Sequence, residues 1–405
     1  MPDYAAPYCR ECVELVRISF TRHHDTTTAL IEALQQCEAR TAALLLVFAA
    51  GRHDPAQMLA IVQSMAIGVP TFGGSVVGTV TRDKASYGGY EIAAIAFAPG
   101  PDLPQAVVAD PCETTDAGIG RSLGNAIAAI SNGPSAALMF YTSVADAPAR
   151  RLHHGTGVLA GLVEGLGAVS ADIAGGGLLT DFNFNDSWII TPDGIRKHSA
   201  FAIVFPRHLR FETHVLRACC PAGPPMTITA VDGARILSLD GIPALDVLCA
   251  LLGREPSLDG NVLGLNLCLG RVDSSLAGLN NRTDHVNRVI VSEDIATRSI
   301  CLLEPDFRVG DQVHFMLRDN DYMLSSAAAL SVAPTANVLL SLYIDCAGRA
   351  SVLTGTLEEE GVVAMSTLPA DTPALGLYSG VEIASISQLP LALDLTGVMI
   401  SVVPR

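Results

Sequence analysis

Three times along this chain a run of buried-strand character gives way to a helical pattern, a glycine-rich stretch and a further strand. That alternation limits the fold to an α/β body more tightly than any other feature. In the first passage residues 42–48 form an uninterrupted apolar run. Asp54 then stands as an N-cap, with Pro55 at the first helical position and Gln57 three residues after the cap. Met58, Ile61, Val62 and Met65 follow at helical spacing, Gly73-Gly74-Ser75 reads as a turn, and residues 90–97 read as a strand. The second passage has a strand over 136–141, a helix from about Ala147 to Gly165, a turn at Gly175-Gly176-Gly177, and strands over 187–190 and 200–205. The third runs from a strand over 337–344, through a helix beginning near Arg349, to a turn over 376–383. The expectation is an α/β protein of two similar α/β halves, with stacked mixed sheets flanked by helices. Internal duplication and convergence on a common alternation both produce this pattern.

The internal boundary falls near residues 207–211, where the second passage closes. It divides the chain into an N-terminal segment (1–40), an N-terminal domain (41–207) and a C-terminal domain (208–405). The C-terminal domain opens with the turn-rich stretch Cys219-Cys220-Pro221-Ala222-Gly223-Pro224-Pro225 and a strand over 226–229. A hairpin turn follows at Asp232-Gly233, then a strand over 234–239, a turn at Asp240-Gly241, and a helix from Pro243 through Leu251.

Hydrophobic residues make up 49% of the 405 positions and charged residues 16%, so a large core is available and wholesale disorder is excluded. With 25 basic and 41 acidic residues the net charge is −16, and no local Lys/Arg cluster offsets it. That field repels nucleic acid and anionic lipid. No apolar run has the length of a membrane span, and the Met1-Pro2-Asp3-Tyr4 start lacks the basic and apolar regions of a signal peptide. Ten cysteines without regular spacing fit reduced thiols rather than a disulfide scaffold. A soluble, cytoplasmic protein is expected.

Two C-terminal segments carry a resemblance. The first runs from Leu339 to Arg349 and ends in Cys346-Ala347-Gly348-Arg349; the second is Gly376-Leu377-Tyr378-Ser379-Gly380-Val381-Glu382-Ile383. Together they resemble the C-terminal half of the FIST family, found in bacterial signal-transduction proteins and in an F-box protein. In that family an apolar strand ends in Cys-Ala-Gly-Arg, and Gly-Phe-Tyr-Thr-Tyr-Gly-Glu-Ile follows about thirty residues on. The Asp240-Gly241-Ile242-Pro243-Ala244 helix start and the glycine stretches at 73–78 and 175–181 are also similar to the family pattern. This chain departs from it in two places. Gly380-Val381 replaces Tyr-Gly before the glutamate, and Leu393-Asp394-Leu395-Thr396 stands where the family tends to read His-Asn-x-Thr. The resemblance implies a stand-alone sensor that binds a small ligand and signals through a partner protein.

The candidate ligand-binding residues are Cys346, Arg349, Tyr378, Ser379 and Glu382. An arginine fork suits a carboxylate and a glutamate suits an ammonium group, so the pair would suit an amino acid or carboxylate-like ligand. The competing reading is structural: the two pair with each other, or Arg349 caps a carbonyl. Tyr378 and Ser379 add hydroxyls. No catalytic residue and no metal site are expected. Cys9-x-x-Cys12 is a single pair without partners, and His153-His154 reads as a solvated pair within a helix. No cofactor is expected, although Cys220-Pro221 is a dipeptide of the kind associated with haem, and some FIST relatives are described as haem-based nitric-oxide sensors. The alternatives are therefore such a haem sensor, or an enzyme that has adapted the pocket; the usual nucleophile-elbow, phosphate-loop and dinucleotide motifs are missing.

Overall fold

The structure, a computed structural model, describes residues 15–131, 133–146, 151–256, 267–273, 285–330 and 337–405. Cys9, Cys12 and the expected helix start at Ala147 lie outside these.

The first unit comprises β1 (Val16–Arg22), α1 (Thr26–Gln36), β2 (Leu44–Ala50), α2 (Pro55–Met65), β3 (Thr71–Val76), β4 (Gly78–Val80), β5 (Ala85–Ser86) and β6 (Glu91–Phe97). The second has β7 (Gln105–Val108), α3 (Asp116–Ile130), β8 (Ser135–Thr142), the short pair β9 (Val144–Ala145) and β10 (Arg151–Leu152), and α4 (Gly155–Leu166). It closes with β11 (Ala171–Leu178), β12 (Ile189–Thr191), β13 (Gly194–Arg196) and β14 (Ala200–Phe205). The third begins with β15 (Leu209–Arg217) and is then interrupted by an insert. That insert holds β16 (Cys219–Pro221), β17 (Met226–Asp232), β18 (Arg235–Leu239), β19 (Ile242–Pro243), α5 (Ala244–Leu252), β20 (Leu267–Val272), β21 (His285–Asp294), β22 (Ser299–Leu302) and β23 (Gln312–Arg318). The unit resumes with α6 (Asn320–Ala328), β24 (Leu340–Cys346), α7 (Ser351–Thr354), α8 (Glu360–Ser366), β25 (Ala374–Ser379), β26 (Val381–Ile386), β27 (Leu389–Leu393) and β28 (Thr396–Pro404).

The strand order repeats three times: β1-β6-β2-β3, β7-β14-β8-β11 and β15-β28-β24-β25. Each sheet is completed by a hairpin from another unit. β12–β13 extend the first sheet, β26–β27 the second, and β4–β5 the third. The parallel neighbours β2/β3, β8/β11 and β24/β25 need a crossover, and the helices between them supply it. Alternation along each central strand sorts side chains to two sides. Leu46 and Phe48 (β2), Leu138 and Phe140 (β8), and Leu342 and Ile344 (β24) share one core walled by all three sheets. Their neighbours Val47, Met139 and Tyr343 face the outer helices. The insert is a ring of strands, β23-β17-β18-β22-β21-β20 and back to β23, around its own core.

The protein is mixed α/β as expected, and the three passages are three units. Asp54 caps α2 through its carboxylate, and Asp232-Gly233 turns the β17–β18 hairpin. The glycine stretches are a correction. Gly73-Gly74-Ser75 and Gly175-Gly176-Gly177 lie inside buried strands rather than turns. Gly73 faces Val47, Gly175 faces Met139 and Gly376 faces Tyr343, the same register position in each unit. A Cβ would stand 1.8 Å from the Val47 carbonyl oxygen at Gly73 and 1.9 Å from the Met139 carbonyl oxygen at Gly175, where φ is +146° and +140°. The expected turn over 376–383 is likewise two strands, and Gly380 marks where the chain passes from the third sheet to the second. His153-His154 precede α4 instead of lying within it, because β10 occupies residues 151–152 and His154 is the N-cap. The helix expected to begin near Arg349 is a 3-10 turn, the short α7 and then α8.

Candidate functional site

A cavity of about 240 Å³ opens at the carboxyl ends of β8, β11, β24 and β25. Ligand sites in α/β sheets favour this edge because strands stop there and loops diverge. Ser143, Cys346, Ser379 and Gly380 line it from the strand ends, and Val289, Val291 and Leu303 line it from the insert. Leu179, Phe182 and Phe184 come from the loop after β11.

Of the five sequence candidates, Cys346 and Ser379 line this cavity. The other three are buried behind it. Arg349 donates from Nε to Glu360 Oε2 at 2.9 Å, from Nη2 to Glu360 Oε1, and from Nη1 to the Leu395 carbonyl at 2.8 Å. Its Nε also lies 3.2 Å from Asp345 Oδ1. Burial opposes the Arg349 charge, but the pull of Glu360 and Asp345 outweighs it and holds the guanidinium protonated. Two acids flank one cation in this pocket. Burial, with the Glu360 charge, pushes the Asp345 carboxyl well above the usual range. Glu360 has the bidentate partner, so Asp345 is the acid that takes up a proton first.

Glu382 is fully buried and accepts from Ser379 Oγ at 3.0 Å, Thr396 Oγ1 at 3.0 Å and the Thr396 amide at 3.2 Å. Burial first, then the Asp394 charge, raises its carboxyl well above the carboxylate range. Arg349 and Glu382 therefore do not pair with each other. They grip adjacent residues, Leu395 and Thr396, from two sides. Leu395 is held at φ +54°, a conformation rare for a branched residue, and its side chain forms part of the cavity wall. Tyr378 donates to Glu359, whose carboxylate also accepts the Ser351 amide at 3.0 Å. That contact ties β25 to the start of α7. The Cys346 thiol is raised well above its ordinary range by burial.

Several contributors escaped sequence reasoning. Glu360 ends an acidic run, Glu358-Glu359-Glu360, that reads as solvated surface, yet it is 1% exposed. Ser143 and Tyr141, both buried, carry hydroxyls with no hydrogen-bond partner among the described residues. They converge over Gly177, where a Cβ would lie 2.2 Å from Ser143 Oγ and 2.8 Å from the Tyr141 hydroxyl. His153 lines the cavity with both ring nitrogens engaged. Asp116 Oδ1 lies 2.7 Å from its Nδ1, and His198 Nδ1 lies 2.8 Å from its Nε2. Among the described residues the cavity thus offers no free imidazole.

The insert docks beside the cavity through polar contacts. Glu304 accepts from the Gly155 and Thr156 amides at the start of α4, at 2.7 and 2.9 Å. His154 Nδ1 donates to the Leu303 carbonyl at 2.9 Å, Arg288 to the Ala392 carbonyl at 3.1 Å, and the Val289 amide to Asp394 Oδ2 at 3.0 Å. Asp394 is buried, and desolvation raises its carboxyl to about 7 against the opposing pull of Arg288. Among the described residues no His, Cys, Asp and Glu cluster has metal-site geometry. Cys220, on β16, does not line the cavity. No helix among the described residues is long and apolar enough to cross a membrane.

No curated protein sequence matches the chain. A crystal structure of cyanuric acid hydrolase from A. caulinodans is 10% identical, covers 96% of this chain and 99% of its own, and has a TM-score of 0.33, a likeness that carries no argument. The sequence profile of the FIST N domain matches residues 43–242, and that of the FIST C domain matches residues 244–385. The chain belongs to the FIST family, whose domains are sensory domains of signal transduction.

Proposed function

We propose that this protein senses a small molecule bound in the 240 Å³ cavity, and that the position of the insert reports occupancy to a partner protein. One observation carries the reading: the cavity wall is shared. Ser143, Cys346 and Ser379 come from the three-unit body, and Val289, Val291 and Leu303 come from the insert, so an occupant touches both. The flanking polar contacts at Val289 and Leu303 would register any shift of the insert. Arg349 and Glu382 serve this site by fixing Leu395; for either to hold an amino acid or carboxylate directly, it would have to leave Glu360 or Thr396. The net charge of −16 favours a protein partner over nucleic acid or an anionic membrane. A cytoplasmic setting follows from the same reading.

The test is a small-molecule screen by thermal shift, followed by hydrogen exchange on each hit. A ligand of the proposed site stabilises the native state by mass action and slows exchange across residues 286–303 and 143–146 together. Val291→Phe, which fills the cavity from the insert side, abolishes both effects. Hits that protect other regions and ignore Val291→Phe overturn the reading.

A further inference from the structure

We infer that the cavity takes a neutral, mostly apolar molecule of roughly ten non-hydrogen atoms. This rests on the sensor reading above and narrows its ligand. The size comes from scaling: a 150 Å³ cavity holds benzene, and this one measures about 240 Å³.

The charge follows from the wall. Among the described residues no lysine or arginine lines the cavity. Its polar side chains are few, and nearly all are engaged. Asp181 accepts from the Asn183 amide at 2.9 Å and from Asn185 Nδ2 at 2.7 Å. Ser379 donates to Glu382, and His153 is held at both ring nitrogens. A ligand carboxylate would find no cation, and a ligand ammonium would find only an occupied Asp181. Burying an unpaired charge is strongly unfavourable. Most other lining side chains are apolar, among them Leu179, Phe182, Phe184, Val289 and Leu395.

The Ser143 and Tyr141 hydroxyls lie beside one another over Gly177 and are closed to the cavity, so the wall offers a ligand apolar contact rather than a polar anchor.

Paired probes of equal size that differ in charge test this by isothermal titration calorimetry with the full chain: benzamide against benzoate, and benzyl alcohol against benzylammonium. The neutral member is expected to bind at least about a hundredfold more tightly, the factor expected for an uncompensated buried charge. Val291→Phe is expected to abolish binding. If benzoate or benzylammonium binds as well as its neutral partner and Val291→Phe blocks it, the sensor site stands and the neutral-ligand inference falls. If a neutral probe binds but Val291→Phe does not alter it, the ligand lies elsewhere and both readings fall. No binding of either neutral probe at millimolar concentration overturns the inference.

Discussion

Replacing Arg349 with methionine keeps most of the side-chain volume and removes the guanidinium. The residue is fully buried, so no water replaces what is lost. Glu360 loses both bonds of its bidentate contact, Asp345 loses its 3.2 Å neighbour, and the Leu395 carbonyl loses its 2.8 Å donor. Removing one partner of a buried ion pair costs about 3–5 kcal/mol. The orphaned carbonyl adds about 1 kcal/mol. The expected loss is thus about 4–6 kcal/mol, read from the urea midpoint with the slope held constant. Arg349→Lys keeps the charge, but a single ammonium cannot span both Glu360 oxygens and the Leu395 carbonyl, so about 1–3 kcal/mol is expected. The double variant Arg349→Met/Glu360→Leu removes both charges at once, and it should recover at least half of the loss through a favourable coupling term. If Arg349→Met costs under about 1 kcal/mol, or the double variant shows no recovery, the guanidinium is not locked as described. A site open to a ligand carboxylate would then return as the better account.

Asp394 predicts the pH response. Its folded carboxyl is raised to about 7, above the unfolded value of 3.8, so between these values the folded state holds a proton that the unfolded chain has released. Its contribution is full below about pH 4, falls by at most about 1.4 kcal/mol per pH unit towards 7, and is flat above. Melting temperatures from pH 5 to 8 should lose part of this slope in Asp394→Asn; an unchanged slope assigns it to other acids. Gly73→Ala and Gly175→Ala should abolish soluble expression, because each Cβ overlaps a carbonyl at under 2 Å, whereas Gly223→Ala, with nothing within 4 Å, should express and melt like the parent. The purified protein should show no Soret band, and a stoichiometric band lost in Cys220→Ala would place haem on the insert.

The sequence disclosed whatever is local. Asp54 and Pro55 start α2, Asp232-Gly233 turns a hairpin, and Ala200–Phe205 is a strand with its expected limits. It misled wherever a residue answers to a distant chain. Glycine signals a turn by default, but Gly73, Gly175 and Gly376 are glycine because a neighbouring strand or side chain occupies the space of a Cβ. A three-glutamate run signals solvent, but Glu360 is drawn inside by Arg349. The motif residues themselves were legible, since Cys346 and Ser379 do reach the cavity. What Arg349 and Glu382 hold was not, because Leu395-Thr396 meets them only through the folded sheet. In the family-like ending, Thr396 is the residue that binds Glu382.

The exchange of hairpins also governs how the chain must assemble. The second unit lends its hairpin to the first, the third to the second, and the first to the third, which closes a circle of loans over more than 300 residues of sequence. The first sheet has all its strands once β13 is made, but the second waits for β27 and the third for β28. A nascent chain released before β25–β28 would expose the edge of β11 and leave β4–β5 without a host, a state open to edge-to-edge aggregation. Folding should therefore be late, slow and all-or-none across the body, with the insert, whose strands close on themselves, the part best able to form ahead of it.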